Sequence, residues 1–103
     1  MEFFVCDEMQ KLRDKLDANN IPWEDASTKD SGSKDVNWWM CRTHYKYKGY
    51  KWSVIHGYGS YGGIDEFRDV SGQLLEVMSN AINGGEPEGY CSAEVVWDLM
   101  NEV

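Results

Sequence analysis

The chain has 103 residues, a net charge of −8 at pH 7, and a hydrophobic fraction of 42% that includes five tryptophans. This length predicts one domain, and this hydrophobic content excludes a disordered chain. A pI near 4.6 argues against direct binding of nucleic acid or of an anionic membrane, and no stretch approaches the roughly 18 apolar residues of a membrane span.

The first predicted element is a helix over about residues 3–19. Its apolar residues recur at helical spacing, and Asn19-Asn20 followed by Pro22 should end it. Ile21–Thr28 then predicts a short strand, and the polar residues 29–35 predict a loop. The apolar stripe of the helix consists of Val5, Met9, Leu12 and Leu16.

A β-hairpin is predicted from Val36–Tyr47 and Tyr50–Tyr58, with Lys48-Gly49 as a two-residue turn. The turn places Tyr47 opposite Tyr50 and sets the register of both strands. One face of the hairpin is then rich in aromatic residues and is expected to be core. It comprises Trp39, Cys41, Thr43, Tyr45, Tyr47, Tyr50, Trp52, Val54, His56 and Tyr58. The other face is apolar at one end and basic near the turn, with Trp38, Met40, Arg42, His44, Lys46, Lys51, Ser53 and Ile55.

Two further helices are predicted in the last third of the chain. Ser71 is expected to cap one that runs to about Asn83, with Gly84-Gly85 ending it, and 86–89 should be a loop. Ser92 is expected to cap a helix over about residues 93–102. The expected fold is therefore a single α+β domain of order α-β-β-β-α-α, with a three-stranded antiparallel sheet packed by helices.

Charge is distributed unevenly along the chain. Residues 1–60 hold nine acids and nine bases, whereas residues 61–103 hold nine acids and one base, Arg68. Within this acidic third, Glu94, Asp98 and Glu102 recur every four residues and should form a stripe on one side of the last helix. The stripe is either a surface for a basic partner, a solvated face, or the counterpart of the protein's own basic hairpin. Further acids that add to its field are Glu86, Glu88, Asp65, Glu66 and Asp69.

The stretch from Leu75 to Met100, LEVMSNAINGGEPEGYCSAEVVWDLM, resembles the C-terminal part of small type II anti-CRISPR inhibitors. The predicted order of elements is also similar to one such family. The resemblance implies an inhibitor that occupies the basic cleft of an RNA-guided nuclease, where its carboxylates stand in for DNA phosphates. By position, Glu86, Glu88, Glu94 and Asp98 would be the analogues, although this chain has a basic, tryptophan-rich hairpin where the family is more polar. Residues 57–103 also look like small uncharacterised proteins of phages and mobile elements in Gram-positive bacteria.

The glycine-rich segment Gly57–Gly63 suggests a second kind of site. It reads G-x-G-x-x-G after a strand, but no Lys-Ser or Lys-Thr completes a phosphate loop, and acids follow it. A small nucleotide-derived ligand could still approach the main-chain amides there. The residues that would hold it are Trp52, Tyr58, Gly59, Ser60 and Tyr61.

The remaining candidates favour structure over chemistry. The register would place Cys41 opposite His56, but a buried, inert thiol is the favoured interpretation of that pair. Most aromatic rings of the hairpin are expected in the core, not on a surface that stacks bases. The histidines and cysteines lack metal-site spacing, and an odd number of cysteines predicts free thiols in a reducing cytoplasm.

The sequence therefore leads to one main hypothesis and two alternatives. The main one is a non-enzymatic, cytoplasmic, phage-type inhibitor that needs no cofactor and binds a basic bacterial defence protein, such as a CRISPR nuclease, as an acidic DNA mimic. The alternatives are a nucleotide-sequestering module at the Gly57–Gly63 loop, and a homo-oligomeric interaction protein with Trp38, Met40 and Ile55 as an exposed patch.

Overall fold

A computed structural model describes residues 5–30, 38–57 and 74–103. The fold is α+β, with two helices and an antiparallel sheet. The elements in chain order are α1 (Asp7–Ala18), β1 (Trp23–Asp25), β2 (Thr28–Asp30), β3 (Trp38–Tyr47), β4 (Tyr50–Gly57), β5 (Leu75–Ser79), a 3₁₀ turn (Asn83–Gly85), β6 (Glu88–Cys91) and α2 (Ala93–Asn101).

The sheet is larger than predicted. Its six strand segments occupy five positions, because β1 and β2 both pair with β3 along the same side, and β4, β5 and β6 follow on the other side. All neighbouring strands are antiparallel. The prediction of a three-stranded sheet and of the order α-β-β-β-α-α is therefore wrong, because helix is replaced by strand in the last third of the chain.

The predicted helix ending near Asn83 is the largest error. Its described part contains β5, in which Leu75, Val77 and Ser79 are buried while Met78 is 48% exposed. This alternation has a period of two and matches a sheet with one covered face. Residues 71–73 lie outside the described residues. The predicted loop 86–89 also overlaps β6, which pairs with β5.

The predicted hairpin is confirmed together with its register. Tyr47 lies opposite Tyr50, and Lys48 and Gly49 have φ values of 52° and 82°. Positive φ at both central residues is the requirement of a type I′ turn, whose twist matches that of the flanking strands. At position 49, glycine adopts this conformation without strain. Lys48-Gly49 therefore forms the turn that sets the register, although Lys-Gly is a weaker turn signal than Asn-Gly.

Both helices cover the face of the sheet that was predicted as core. α1 packs its apolar stripe there, and Met9, Leu12 and Leu16 are fully buried. From the hairpin, the buried side chains are Cys41, Thr43, Tyr45, Trp52, Val54 and His56, whereas Tyr50 is 39% exposed. We call this the helix-covered face of the sheet and call the opposite one the outer face.

The helix α2 begins where the sequence predicts. The Ser92 hydroxyl accepts a hydrogen bond from the main-chain N–H of Val95 at 3.2 Å, which is the usual capping bond. A second cap comes from the other end of the chain, because the Glu8 carboxylate accepts the N–H of Ala93 at 2.9 Å. Glu8 also pairs with Lys11 at 3.0 Å. One carboxylate of α1 thus fixes the start of α2.

We expect the Glu8→Gln substitution to reveal this contact through the pH dependence of stability. The Ala93 N–H, followed by Lys11, holds the pKa of Glu8 below its ordinary value of 4.5. A depressed pKa stabilises the folded state above pH 4.5, and this contribution is lost as the pH falls through the lower folded value. Glutamine keeps an acceptor but loses the charge. The variant should therefore be less stable than the wild-type protein by about 0.5–1 kcal/mol at pH 7.

The measurement is urea unfolding at a series of pH values between neutrality and strong acid. The difference between wild type and Glu8→Gln should shrink towards zero in acid. The control is Asp14→Asn, which also removes one charge from α1 but keeps the acceptor used by Gln10. A difference between wild type and Glu8→Gln that stays constant with pH would rule out the charged cap.

Candidate functional site

The acidic stripe lies on the exposed side of α2. Glu94 and Asp98 are in the helix, Glu102 is its C-cap, and all three side chains are exposed. Their spacing of four residues stacks them on one side, with neighbouring Cβ atoms about 6 Å apart. Val95, which is 44% exposed, adds an apolar side chain next to them.

None of the three stripe carboxylates is neutralised by a base among the described residues. The ion pairs there are Lys11–Glu8 and Arg13–Asp25, and neither involves α2. The hairpin's own bases Arg42, Lys46 and Lys51 alternate with the buried residues of β3 and β4 and so lie on the outer face, away from the helices. Arg42, Lys46 and Lys51 therefore do not pair with the stripe, and the fourth hairpin base, Lys48, lies at the end of α2 and contacts its main-chain oxygens.

The end of α2 is held by the hairpin turn without involving the stripe. Lys48 Nζ donates to the main-chain oxygens of Val103 at 3.1 Å and Asn101 at 3.5 Å. The Tyr47 hydroxyl donates to Asn101 Oδ1 at 2.7 Å. A lysine at this position satisfies carbonyl groups that have no partner within the helix and complements its dipole. The stripe therefore projects from a fixed helix.

The other acids that the sequence predicted for this site differ in their surroundings. Glu86 is exposed in the turn before β6, and Glu88 is exposed at the start of that strand. Glu88 Oε2 accepts a hydrogen bond from Asn83 Nδ2 at 2.7 Å, so one of its oxygens is already engaged. Asp65, Glu66 and Asp69 lie outside the described residues.

Trp52 is the one residue of the alternative ligand site that lies among the described residues, and it is not accessible to a ligand. Trp52 is 1% exposed, and its ring stacks on Tyr45 with centroids 6.4 Å apart and planes 3° apart. Its indole N–H donates to the Tyr47 carbonyl at 3.2 Å. Trp52 thus belongs to the core and cannot stack on a ligand at the surface. Tyr58, Gly59, Ser60 and Tyr61 lie outside the described residues.

The three thiols are buried, and none is activated as a nucleophile. Cys6, Cys41 and Cys91 are thiols that form no disulfide, as predicted. Burial raises the pKa of each thiol, and that of Cys91 reaches about 11. Cys41 does lie opposite His56, as the register predicts, but both side chains are fully buried in the core. A protonated, enclosed thiol cannot attack a substrate at neutral pH.

A buried arginine is the polar feature that sequence analysis missed. Arg13 lies on the apolar stripe of α1, is 5% exposed, and donates from Nε to Thr43 Oγ1 at 2.8 Å. Its Nη2 reaches Asp25 Oδ1 at 3.5 Å, and its guanidinium lies 4.6 Å from the ring centroid of Trp23. The sequence feature that could have predicted its burial is its spacing, because residues 9, 12, 13 and 16 lie on one side of the helix.

Comparisons with protein-family models, with curated proteins and with solved structures find no match to this chain. Within the described ranges, no helix is long and apolar enough to cross a membrane. In the same residues, no group of three or more histidine, cysteine, aspartate or glutamate side chains could hold a metal ion. The acidic face of α2 therefore has to be interpreted from its own geometry.

Proposed function

We propose that the protein is a non-enzymatic binding module that presents the acidic face of α2 to a cationic cleft of a partner protein. The observation that carries the proposal is the separation of charge. Glu94, Asp98 and Glu102 are exposed and unpaired among the described residues. The hairpin bases Arg42, Lys46 and Lys51 lie on the opposite face of the sheet, and Lys48 contacts main-chain oxygens at the end of α2, not the stripe carboxylates.

The position of Glu102 supports a role outside the fold. As the C-cap it lies beside the negative end of the helix dipole, and it also stands four residues from Asp98. Each of these arrangements opposes helix stability by a few tenths of a kcal/mol. Neither arrangement stabilises the helix, whereas a cationic partner would relieve the repulsion.

The mechanism of such binding is electrostatic. A field of one sign accelerates encounter with an oppositely charged cleft, and carboxylates form strong charge-assisted hydrogen bonds to arginine. Arginines that read guanine in a DNA duplex present paired N–H donors, which can donate to a carboxylate instead. We therefore propose, as the specific form of this function, a phage-type inhibitor that acts in the bacterial cytoplasm by occupying the DNA-binding cleft of a defence protein such as a CRISPR nuclease.

A competition assay with a purified, guide-loaded type II CRISPR nuclease tests this specific form. The wild-type protein should slow cleavage of a matched DNA duplex, and the triple substitution Glu94→Gln, Asp98→Asn and Glu102→Gln should reduce that inhibition by about tenfold or more, since each lost charge-assisted bond is worth roughly 1 kcal/mol or more. Far-ultraviolet circular dichroism should show an unchanged fold.

The matched control neutralises three acids elsewhere, with Asp14→Asn, Glu24→Gln and Glu76→Gln. It changes the net charge by the same amount but leaves α2 intact. Equal inhibition by the stripe variant and the control variant would remove the stripe from the mechanism. Absence of inhibition by the wild-type protein would reject this nuclease class as the target.

A further inference from the structure

The outer face of the sheet contains a pair of lysines that the fold does not explain. Lys46 of β3 and Lys51 of β4 are direct cross-strand neighbours. Like charges in this arrangement destabilise a sheet. Neither lysine has a carboxylate within ion-pair distance or a hydrogen-bond partner among the described residues. Both side chains are exposed, so the pair presents two adjacent positive charges to solvent on the outer face.

An open cleft of about 830 Å³ lies over this pair. Its volume falls in the range of small-molecule sites, roughly 300–1,000 Å³. The cleft follows one row of side chains across four strands, because Glu24 pairs with His44, His44 with Ser53, and Ser53 with Met78. Glu24 is the one carboxylate among the described lining residues, so the two lysines give that part of the lining a net positive charge.

The lining also suits the rest of an organic ligand. Met78 is 48% exposed and offers an apolar, polarisable contact. Ser53 and Asn80 provide neutral groups that donate and accept hydrogen bonds, and His44 provides a half-buried ring. A phosphate alone would use the lysines and leave these groups without a role. A heteroaromatic base attached to the phosphate would use both parts.

A further cation extends the line along β3. Arg42, His44 and Lys46 alternate on the outer face, so successive members are about 6.6 Å apart along the strand. Arg42 Nε is buried and has no hydrogen-bond partner among the described residues. An unsatisfied buried donor is uncommon in folded proteins. Arg42 therefore adds a third cation to the outer face, on which Glu76 lies one strand further across, opposite Ile55.

We propose that this cleft binds a nucleoside phosphate, with the phosphate between Lys46 and Lys51 and the base against His44 and Met78. The site is on the face opposite α2, and so it does not depend on the acidic stripe or on its partner. It also differs from the Gly57–Gly63 loop, since every residue named here belongs to a strand or turn of the described sheet.

Isothermal titration calorimetry and thermal unfolding of the full chain test the proposal. The probes are the ribonucleoside mono-, di- and triphosphates and cyclic mono- and dinucleotides, with inorganic phosphate and the free nucleosides as partial ligands. At least one nucleotide should raise the melting temperature in a concentration-dependent way, as mass action requires. It should bind at least tenfold more tightly than either partial ligand.

The decisive variant is Lys46→Met with Lys51→Met, which keeps the aliphatic stems. It should bind the nucleotide at least tenfold more weakly, and without ligand it should melt at or above the wild-type temperature because the repulsion is gone. The control, Lys11→Met with Lys15→Met, loses the same charge on α1 and should keep the affinity. A variant that binds as well as the wild-type protein would overturn the proposal.

Three other outcomes would also overturn it. The first is the absence of binding by every nucleotide at millimolar concentration. The second is tighter binding of single-stranded oligonucleotides than of any mononucleotide or cyclic nucleotide, which would make the cleft a nucleic-acid groove. The third is self-association of the free protein that the lysine substitutions abolish, which would assign the cleft to the acidic α2 of a second copy.

Discussion

Replacing Trp52 with alanine should destabilise the fold by about 3–5 kcal/mol, the usual cost of truncating a buried tryptophan. The residue is 1% exposed and is the largest fully buried side chain among the residues that the structure describes. Its ring stacks on Tyr45 and its N–H is satisfied by the Tyr47 carbonyl, so alanine removes both the packing and a hydrogen bond. Urea unfolding followed by circular dichroism measures the loss.

Tyr50→Ala is the matched control for this substitution. Tyr50 lies two residues earlier on the same strand but is 39% exposed, so its truncation should cost less than about 1 kcal/mol. A Trp52→Ala variant that loses as little as the Tyr50→Ala variant would show that Trp52 is not in the core. In that case the sequence-based hypothesis of a stacking surface at Trp52 would stand again.

The second large effect is expected for Arg13→Ala, at about 2–4 kcal/mol, because it leaves buried polar groups without their donor. The guanidinium connects α1 to two strands through Thr43, Asp25 and the Arg42 carbonyl, which lies 3.3 Å from Nη2. Asp25 contributes less than the other contacts because its side chain is 52% exposed and its charge is screened.

The Arg13→Lys variant separates the contribution of the positive charge from that of the planar guanidinium geometry. Lysine keeps the charge but cannot present the planar set of donors that reaches several acceptors at once. Arg13→Lys should therefore lose at least half as much stability as Arg13→Ala, whereas Lys11→Ala, at a position 66% exposed, should lose little. A fully stable Arg13→Lys protein would mean that charge alone is required there.

The elements that the sequence predicted correctly are those with strong local signals. The stripe of α1, the Ser92 cap of α2 and the hairpin register each follow from periodicity, capping or turn chemistry within a few residues. The hairpin register also gave the correct helix-covered face, because side chains alternate along a strand. These features are encoded locally, so no knowledge of the tertiary fold was needed.

The errors arise where two periodicities overlap. Leu74, Leu75, Met78 and Ile82 fit a helix, yet Leu75 and Val77 also fit an alternating strand, and a short apolar segment does not separate the two. Pairing of β5 with β4 decides in favour of the strand, and that contact is not local. Recognising Glu8 as a cap for α2 likewise requires knowing that the two helices meet.

For the candidate site, the sequence identified the stripe but could not orient it. The spacing of Glu94, Asp98 and Glu102 places them on one helix side, and the hairpin register places the bases on one sheet face. Whether those two surfaces meet depends on which sheet face the helices cover. Tyr45 and Trp52 are buried on the helix-covered face. Because side chains alternate along a strand, their neighbours Lys46 and Lys51 point away from α2.

The most direct test of the account is quantitative capture of bacterial proteins by three immobilised forms of this chain at low and high salt. The forms are the wild type, the stripe variant at Glu94, Asp98 and Glu102, and the charge-matched control at Asp14, Glu24 and Glu76. We expect one dominant protein with a basic cleft, retained by wild type and control, lost by the stripe variant, and released at about 1 M salt, where charges are screened within about 3 Å. Equal retention by all three forms, unaffected by salt, would contradict a role for the acidic face of α2.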